Sequence, residues 1–268
     1  MTREDLIEQI RLKKSYLCVG LDTDPDKLPS HILKEEDPVF AFNKQIIDAT
    51  KDFCVAYKPN IAFYEALGTA GWESLRKTLA YIPDTHFTIA DAKRGDIGNT
   101  SAMYAQTFFN RYPFDAVTVA PYMGRDSIEP FLAYAGKWAI VLGLTSNPGA
   151  GDFEQLLLSN GMRLFEQVLQ TVAGWGSTEN LMFVAGATRP EGLRQVRAVI
   201  PEHFLLIPGV GAQGGSLEAV SEAALNDDIG ILVNASRSIL YASSGVDFAD
   251  RAFEEAASMQ KAMSAFIG

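Results

Sequence analysis

Eight short apolar runs punctuate the chain. They are residues 16–21 (YLCVGL), 53–58 (FCVAYK), 87–90 (FTIA), 116–120 (AVTVA), 138–144 (WAIVLGL), 181–185 (LMFVA), 204–207 (FLLI) and 229–233 (IGILV). Each is nearly continuous rather than alternating, the pattern of parallel strands covered on both faces. Helical spacing fills the intervals. Asp37-Pro38 reads as an N-cap with proline in the first turn, and Val39, Phe42, Ile46 and Ala49 follow on one face. Thr188 with Glu191 makes a capping-box pattern ahead of Leu193, Val196 and Ile200. Asp247 stands where it would cap a last helix carrying Phe248, Ala252, Ala256, Met259 and Met263.

Strand–helix units of about 30 residues, repeated eight times, predict a (β/α)8 TIM barrel, whose usual size is about 250 residues. Alternation alone would also allow a doubly wound open sheet. The polar residues favour the barrel: they follow runs one, two, three, five, seven and eight, as around a site ringed by strand ends. No linker or low-complexity stretch divides the 268 residues, so one domain spanning 1–268 is expected.

Charge narrows the partners. The 33 acidic and 23 basic side chains leave a net charge of −10, which disfavours nucleic acid and anionic membrane surfaces. No apolar run nears the roughly 20 residues of a membrane span. The start, MTREDLIEQIRLKK, is charged and lacks a signal-peptide core, so a cytoplasmic location is expected. Cys18 and Cys54 both fall in apolar runs and read as buried free thiols. His31, His86 and His203 lack the spacing and carboxylate company of a metal site.

The densest chemistry is DAKRGDIGNT, residues 91–100, directly after the third run. Residues two apart on a strand share a face, so Asp91 and Lys93 are expected to point together, with Asp96 in the turn beyond. Lys58 ends the second run, the neighbouring strand of a sequential barrel. Such an array could be a salt-bridged strand terminus. It could equally be catalytic, since cations alternating with carboxylates stay protonated even when partly buried. A protonated lysine donates protons and anchors developing negative charge, whereas a Schiff base needs the neutral amine. That points to carbanion chemistry without a cofactor. A second constellation is PGVGAQGG (208–215) with NASRS (234–238), after runs seven and eight. Loops at these positions of a barrel often hold phosphate with backbone N–H groups, here helped by Gln213 and Arg237. TSNPGAG, residues 145–151, reads as a loop or a mobile lid.

With these segments in view, the chain resembles the orotidine 5′-phosphate decarboxylase family, in its longer bacterial subfamily. DAKRGDIGNT is the most specific segment; KPN after the second run, TSNPGAG, PGVGAQGG and NASRSI extend the match in order, from Asp22 to Arg237. The resemblance implies a (β/α)8 barrel homodimer that converts orotidine 5′-phosphate to UMP and CO2 with no metal and no organic cofactor. It implies Lys93 as proton donor to C6, with Lys58, Asp91 and Asp96 completing the charged array. Asp96, with Ile97 and Thr100, would reach into the other subunit's site, so the active sites are shared. Ser146 would read the pyrimidine edge, Asp22 the ribose, Gln213 and Arg237 the phosphate, and Pro208 would line the base pocket. Shorter members often carry Gly where this chain has Ser236; a backbone N–H contact to phosphate survives that change. Two alternatives stand beside this reading: a Mg-dependent sugar-phosphate lyase of the same barrel group, and a non-catalytic nucleotide-phosphate sensor. The first needs a metal carboxylate where Pro59 and Asn60 follow Lys58.

Overall fold

The computed structural model describes residues 1–186, 190–210 and 216–268. Eight strands close in sequential order: β1 (Leu17–Leu21), β2 (Ala56–Pro59), β3 (Phe87–Arg94), β4 (Ala116–Val119), β5 (Trp138–Leu144), β6 (Leu181–Ala185), β7 (Phe204–Pro208) and β8 (Ile231–Ala235). Helices alternate with them, so the fold is a (β/α)8 TIM barrel and the open-sheet alternative falls. Contacts divide the chain into two compact units, residues 5–92 with 234–268 and residues 1–4 with 93–233.

In the first unit β1 and β2 run parallel, with Cys18 opposite Ala56 and Gly20 opposite Lys58. The helix Pro38–Thr50 begins as its sequence requires: Asp37 accepts from the Phe40 N–H at 3.1 Å and Pro38 occupies the first turn. Its buried face, with Phe42 and Ile46, meets the helix Phe248–Ser264, where Phe42 and Phe248 stack at 4.8 Å. Cys18 and Cys54 are free and buried. Three expectations shift. The run 53–58 becomes a strand only at Ala56, because residues 51–53 turn and Phe53 packs edge-on against Phe253 at 4.8 Å. β3 does not stop at Ala90 but carries its charged residues on to Arg94, helped by pairing of Asp91 with Asn60. Asp247 sits at the N-cap of the last helix without capping it; its carboxylate instead takes the Ser243 hydroxyl at 2.6 Å and Arg251 at 3.2 Å.

In the second unit β4, β5 and β6 pair in parallel, and the β5–β6 register shifts between Leu142 and Leu144. Trp138 and Phe204 meet edge-to-face at 6.3 Å in the buried interior. β8 starts at Ile231, two residues later than the apolar run, because Ile229 (φ 69°) and Gly230 (φ 61°) form a left-handed turn. Leu193, Val196 and Ile200 are buried as their spacing requires, while Thr188 lies outside the described residues. Among the described residues no helix is long and apolar enough to cross a membrane.

Candidate active site

In the unit of residues 5–92 and 234–268, Lys58 is the next-to-last residue of β2 and Asp91 lies on β3. The Lys58 Nζ donates to Asp91 Oδ2 at 2.7 Å, with the two side chains only 5% and 10% exposed. Burial alone would push the lysine pKa down. Asp91, and then Asp22, outweigh it and hold Lys58 well above the usual lysine range. A cation so held is charged throughout the physiological range. Burial also pushes up the Cys18 thiol, which leaves it inert as a nucleophile.

Asp22 follows β1. Its Oδ1 is buried and has no hydrogen-bond partner among the described residues. Such an orphaned carboxylate oxygen is costly unless a donor is to arrive. The loop that carries it is pinned from both sides. The Tyr241 hydroxyl donates to the Asp22 carbonyl and accepts from the Asp24 N–H, each at 2.9 Å. The Tyr64 hydroxyl donates to the Leu21 carbonyl at 3.2 Å and accepts from the Asn43 amide at 3.0 Å.

Ser236 precedes the short helix Arg237–Leu240. Its hydroxyl occupies the space a side chain at residue 20 would need, so Gly20 and Ser236 are complementary. The Asn234 amide donates to that hydroxyl at 3.2 Å. Arg237 is exposed, and its guanidinium makes no hydrogen bond or ion pair among the described residues, which leaves it available for an anion.

In the unit of residues 1–4 and 93–233, Lys93 is exposed, not partly buried as the array reading assumed. Its φ is +48°, a left-handed conformation that costs a non-glycine residue of order 1–3 kcal/mol. The strand alternation that would set Asp91 and Lys93 on one face therefore ends at Ala92 and does not determine the direction of Lys93. The Lys93 N–H donates to the Thr118 Oγ1 at 2.9 Å, and the β3 pairing resumes where Ala120 N–H meets the Arg94 carbonyl at 2.8 Å. Asp96 lies past the strand. Its carboxylate accepts from the Ile97 N–H and its carbonyl from the Ser101 hydroxyl, both at 2.7 Å. Ile97 is the N-cap of the helix Gly98–Gln106, and Thr100 lies in the first turn, half-buried.

Ser146 sits half-buried just after β5. It lines an open cavity of about 680 Å³ with Leu144, Asn147, Arg163, Glu191 and Gln195. Glu154 braces the loop, accepting from both the Thr145 N–H and its hydroxyl at 2.7 Å. Gly186 lets the loop approach, since a side chain there would press on Ser146. Pro208 is the last residue of β7, and Gly209 (φ 93°) makes the turn beyond it. Gln213 lies outside the described residues. Sequence reasoning missed Thr118, Tyr241, Glu154 and Gly20. Only Thr118 left a trace, as the polar residue inside an otherwise apolar strand.

A closed parallel barrel with a buried Lys58–Asp91 ion pair on β2 and β3 defines the class, a (β/α)8 barrel with buried charge near its strand ends. Comparison with known proteins gives the particular family. Residues 15–252 match the family described as Orotidine 5'-phosphate decarboxylase / HUMPS. The orotidine 5'-phosphate decarboxylase of Flavobacterium johnsoniae is 57% identical over 270 residues, covering 100% of this chain and 98% of that protein. The enzyme of the same name from Phocaeicola vulgatus is 56% identical over 266 residues, 98% of each chain. The solved structure of Leishmania donovani OMP decarboxylase has 36% identity and a TM-score of 0.83, covering 97% of this chain and 100% of that one. The chain belongs to the orotidine 5'-phosphate decarboxylase / HUMPS family.

Proposed function

We infer that the chain is a carboxy-lyase that converts orotidine 5′-phosphate to UMP and CO2 in UMP biosynthesis, and that Lys93 is its proton donor. The observation that carries the residue assignment is a buried Lys58–Asp91 ion pair, its lysine held charged, followed two residues after Asp91 in the chain by a strained, exposed Lys93. The relatives' shared name supports the reaction. Neither the sugar-phosphate lyase nor the sensor finds support among them.

Loss of CO2 from C6 leaves an electron pair in the plane of the pyrimidine ring, where the ring π-system cannot delocalise it. Charge placed in advance must stabilise it. The Lys93 ammonium donates its proton to C6, giving UMP and a neutral amine that takes a proton back from water. Lys58, held charged beside Asp91, keeps its proton through the cycle. Asp91 and Asp96 add negative charge that disfavours the bound carboxylate more than the neutral CO2 it becomes. Asp22 accepts from a ribose hydroxyl, Ser146 hydrogen-bonds the pyrimidine edge and Pro208 lines the base pocket. The Ser236 N–H, Gln213 and Arg237 hold the phosphate, whose remote binding energy helps lower the barrier.

The whole chain acts as one barrel domain, and two copies form a homodimer in the cytoplasm in which Asp96, Ile97 and Thr100 serve the partner's site. Support for the dimer lies in the apolar side chains around β3 and β4: Ile97 is 52%, Met103 59% and Tyr122 91% exposed. Exposed apolar groups on adjoining segments mark an interaction surface. The net charge of −10 keeps nucleic acid and anionic membranes out of the list of partners.

The test is ultraviolet-monitored loss of orotidine 5′-phosphate by the purified protein in excess EDTA. Turnover that survives EDTA and releases UMP is expected. Activity abolished by EDTA would return the sugar-phosphate lyase, and UMP binding without turnover would return the sensor. Sedimentation at micromolar concentration should give the mass of two chains.

A further inference from the structure

We propose that Thr118 is a positioning residue for Lys93: its hydroxyl, standing in for a strand carbonyl, holds the lysine backbone in the left-handed conformation from which the side chain works. This rests on the reading of Lys93 as proton donor. Thr118 is the third residue of β4, and only 1% of it is exposed. Its neighbours on the strand, Ala116, Val117 and Val119, are apolar and buried. Valine has nearly the same shape and would satisfy the packing alone, so burying a hydroxyl here costs free energy unless it finds a partner. One partner is the Lys93 N–H, which donates to that hydroxyl oxygen at 2.9 Å.

The geometry explains why a side chain, not a backbone carbonyl, takes that bond. Alternation along β3 sends its odd-numbered amides toward β2, as where the Phe87 N–H meets the Val55 carbonyl at 2.9 Å, so a regular strand would aim the amide of residue 93 at β2 and not at β4. With φ at +48° the peptide plane before Lys93 is rotated away from the ladder direction, yet one residue later Ala120 N–H and the Arg94 carbonyl pair normally at 2.8 Å. The Thr118 hydroxyl stands off the strand on Cβ, so it meets the displaced N–H without disturbing the ladder. A residue in strained φ/ψ persists only where its surroundings over-determine it. Here the determination comes from the hydroxyl on one side and the resumed ladder on the other.

The experiment compares Thr118→Val and Thr118→Ser with the wild type and with Lys93→Ala, as full-length protein. Orotidine 5′-phosphate turnover is measured together with UMP affinity by calorimetry. A 1 Å misplacement of a catalytic group costs about 10²-fold, so Thr118→Val is expected to lose up to that factor in kcat. KM and UMP affinity should stay within about twofold, since the binding groups are untouched. Thr118→Ser keeps the acceptor and is expected to recover most of the loss. Selective ¹⁵N-lysine labelling gives a readout that simple destabilisation would not move: the Lys93 amide resonance shifts in Thr118→Val and returns in Thr118→Ser. Wild-type kcat in Thr118→Val, a serine variant as slow as the valine one, or loss of UMP affinity in step with kcat would each overturn the proposal. Should Thr118→Val fail to fold, Thr118→Ala is read by the same criteria. Lys93→Ala separates the two inferences: full turnover there sinks the proton-donor reading itself, whatever Thr118 does.

Discussion

Lysine and aspartate occur together in both units, and the two settings differ. Lys58 and Asp91 are buried against each other at 2.7 Å, each nearly inaccessible to water. Lys93 is exposed and strained, and Asp96 spends its carboxylate on the Ile97 N–H. The first couple is complete within one chain and behaves as a fixed source of field. Lys93 has its backbone fixed by the Thr118 hydroxyl and its side chain exposed. A third lysine shows what the carboxylate contributes. Lys13 is partly buried against the carbonyls of Lys51 and Cys54, with no carboxylate bonded to it among the described residues. Burial lowers its pKa, where Lys58 is raised.

The largest effect expected from breaking this contrast is kinetic. Lys93→Ala should lower kcat by about 10⁴-fold or more, since it removes both the acid and the cation, while its melting temperature stays near that of the wild type. Steady-state assay with thermal unfolding checks both halves; near-wild-type turnover would defeat the division of roles. Asp91→Ala should do the reverse in stability, stranding a buried ammonium at a cost of about 3–5 kcal/mol. Urea unfolding measures it. Replacing both partners, Lys58→Met with Asp91→Leu, removes the buried charges themselves and should cost much less stability yet still cripple turnover.

The next effect concerns histidine. Burial, and then the Lys13 ammonium whose Nζ lies 2.8 Å from its ring, lower the His86 pKa from 6.5 to about 4. The unfolded chain therefore takes up a proton below pH 6.5 that the folded chain refuses until about pH 4. Stability is fully present above 6.5 and falls through that window, by on the order of 3 kcal/mol for His86. His203 is lowered to about 4 by burial and by Arg3 and Arg197, and adds to the same slope. Melting temperature against pH, in wild type and His86→Gln, tests it: the variant should show a shallower acid limb. Lys58, with its raised pKa, contributes below the ordinary lysine range and loses that contribution only in strong alkali, so it leaves the acid limb unchanged. Smallest is Gly20→Ala, whose added methyl would meet the Ser236 hydroxyl. KM should rise about tenfold, or 1.4 kcal/mol, with kcat little changed, and Ser236→Gly in the same chain should restore it.

Much of this was legible before any coordinates. The apolar runs located all eight strands, and the ends of β5 and β6 agree to the residue. Errors fell where side-chain pattern and backbone geometry part company. Phe53 is as apolar as a strand residue but faces a helix through Phe253. The charged end of β3 lies beyond the apolar run 87–90, yet stays paired because Asn60 and Ala120, just past the ends of β2 and β4, supply partners.

The sequence by itself determined the strand–helix rhythm, the family and the identity of the charged groups, because periodicity and motif spacing are local and survive in one dimension. What the tertiary structure decided is their electrical and conformational state. Which lysine is buried, which carboxylate it meets and which backbone turns left-handed depend on groups far apart in the chain. Lys58 finds Asp91 from 33 residues away and Lys93 finds Thr118 from 25. Burial and Coulomb energy are functions of distance in space, and no pattern along the chain contains them.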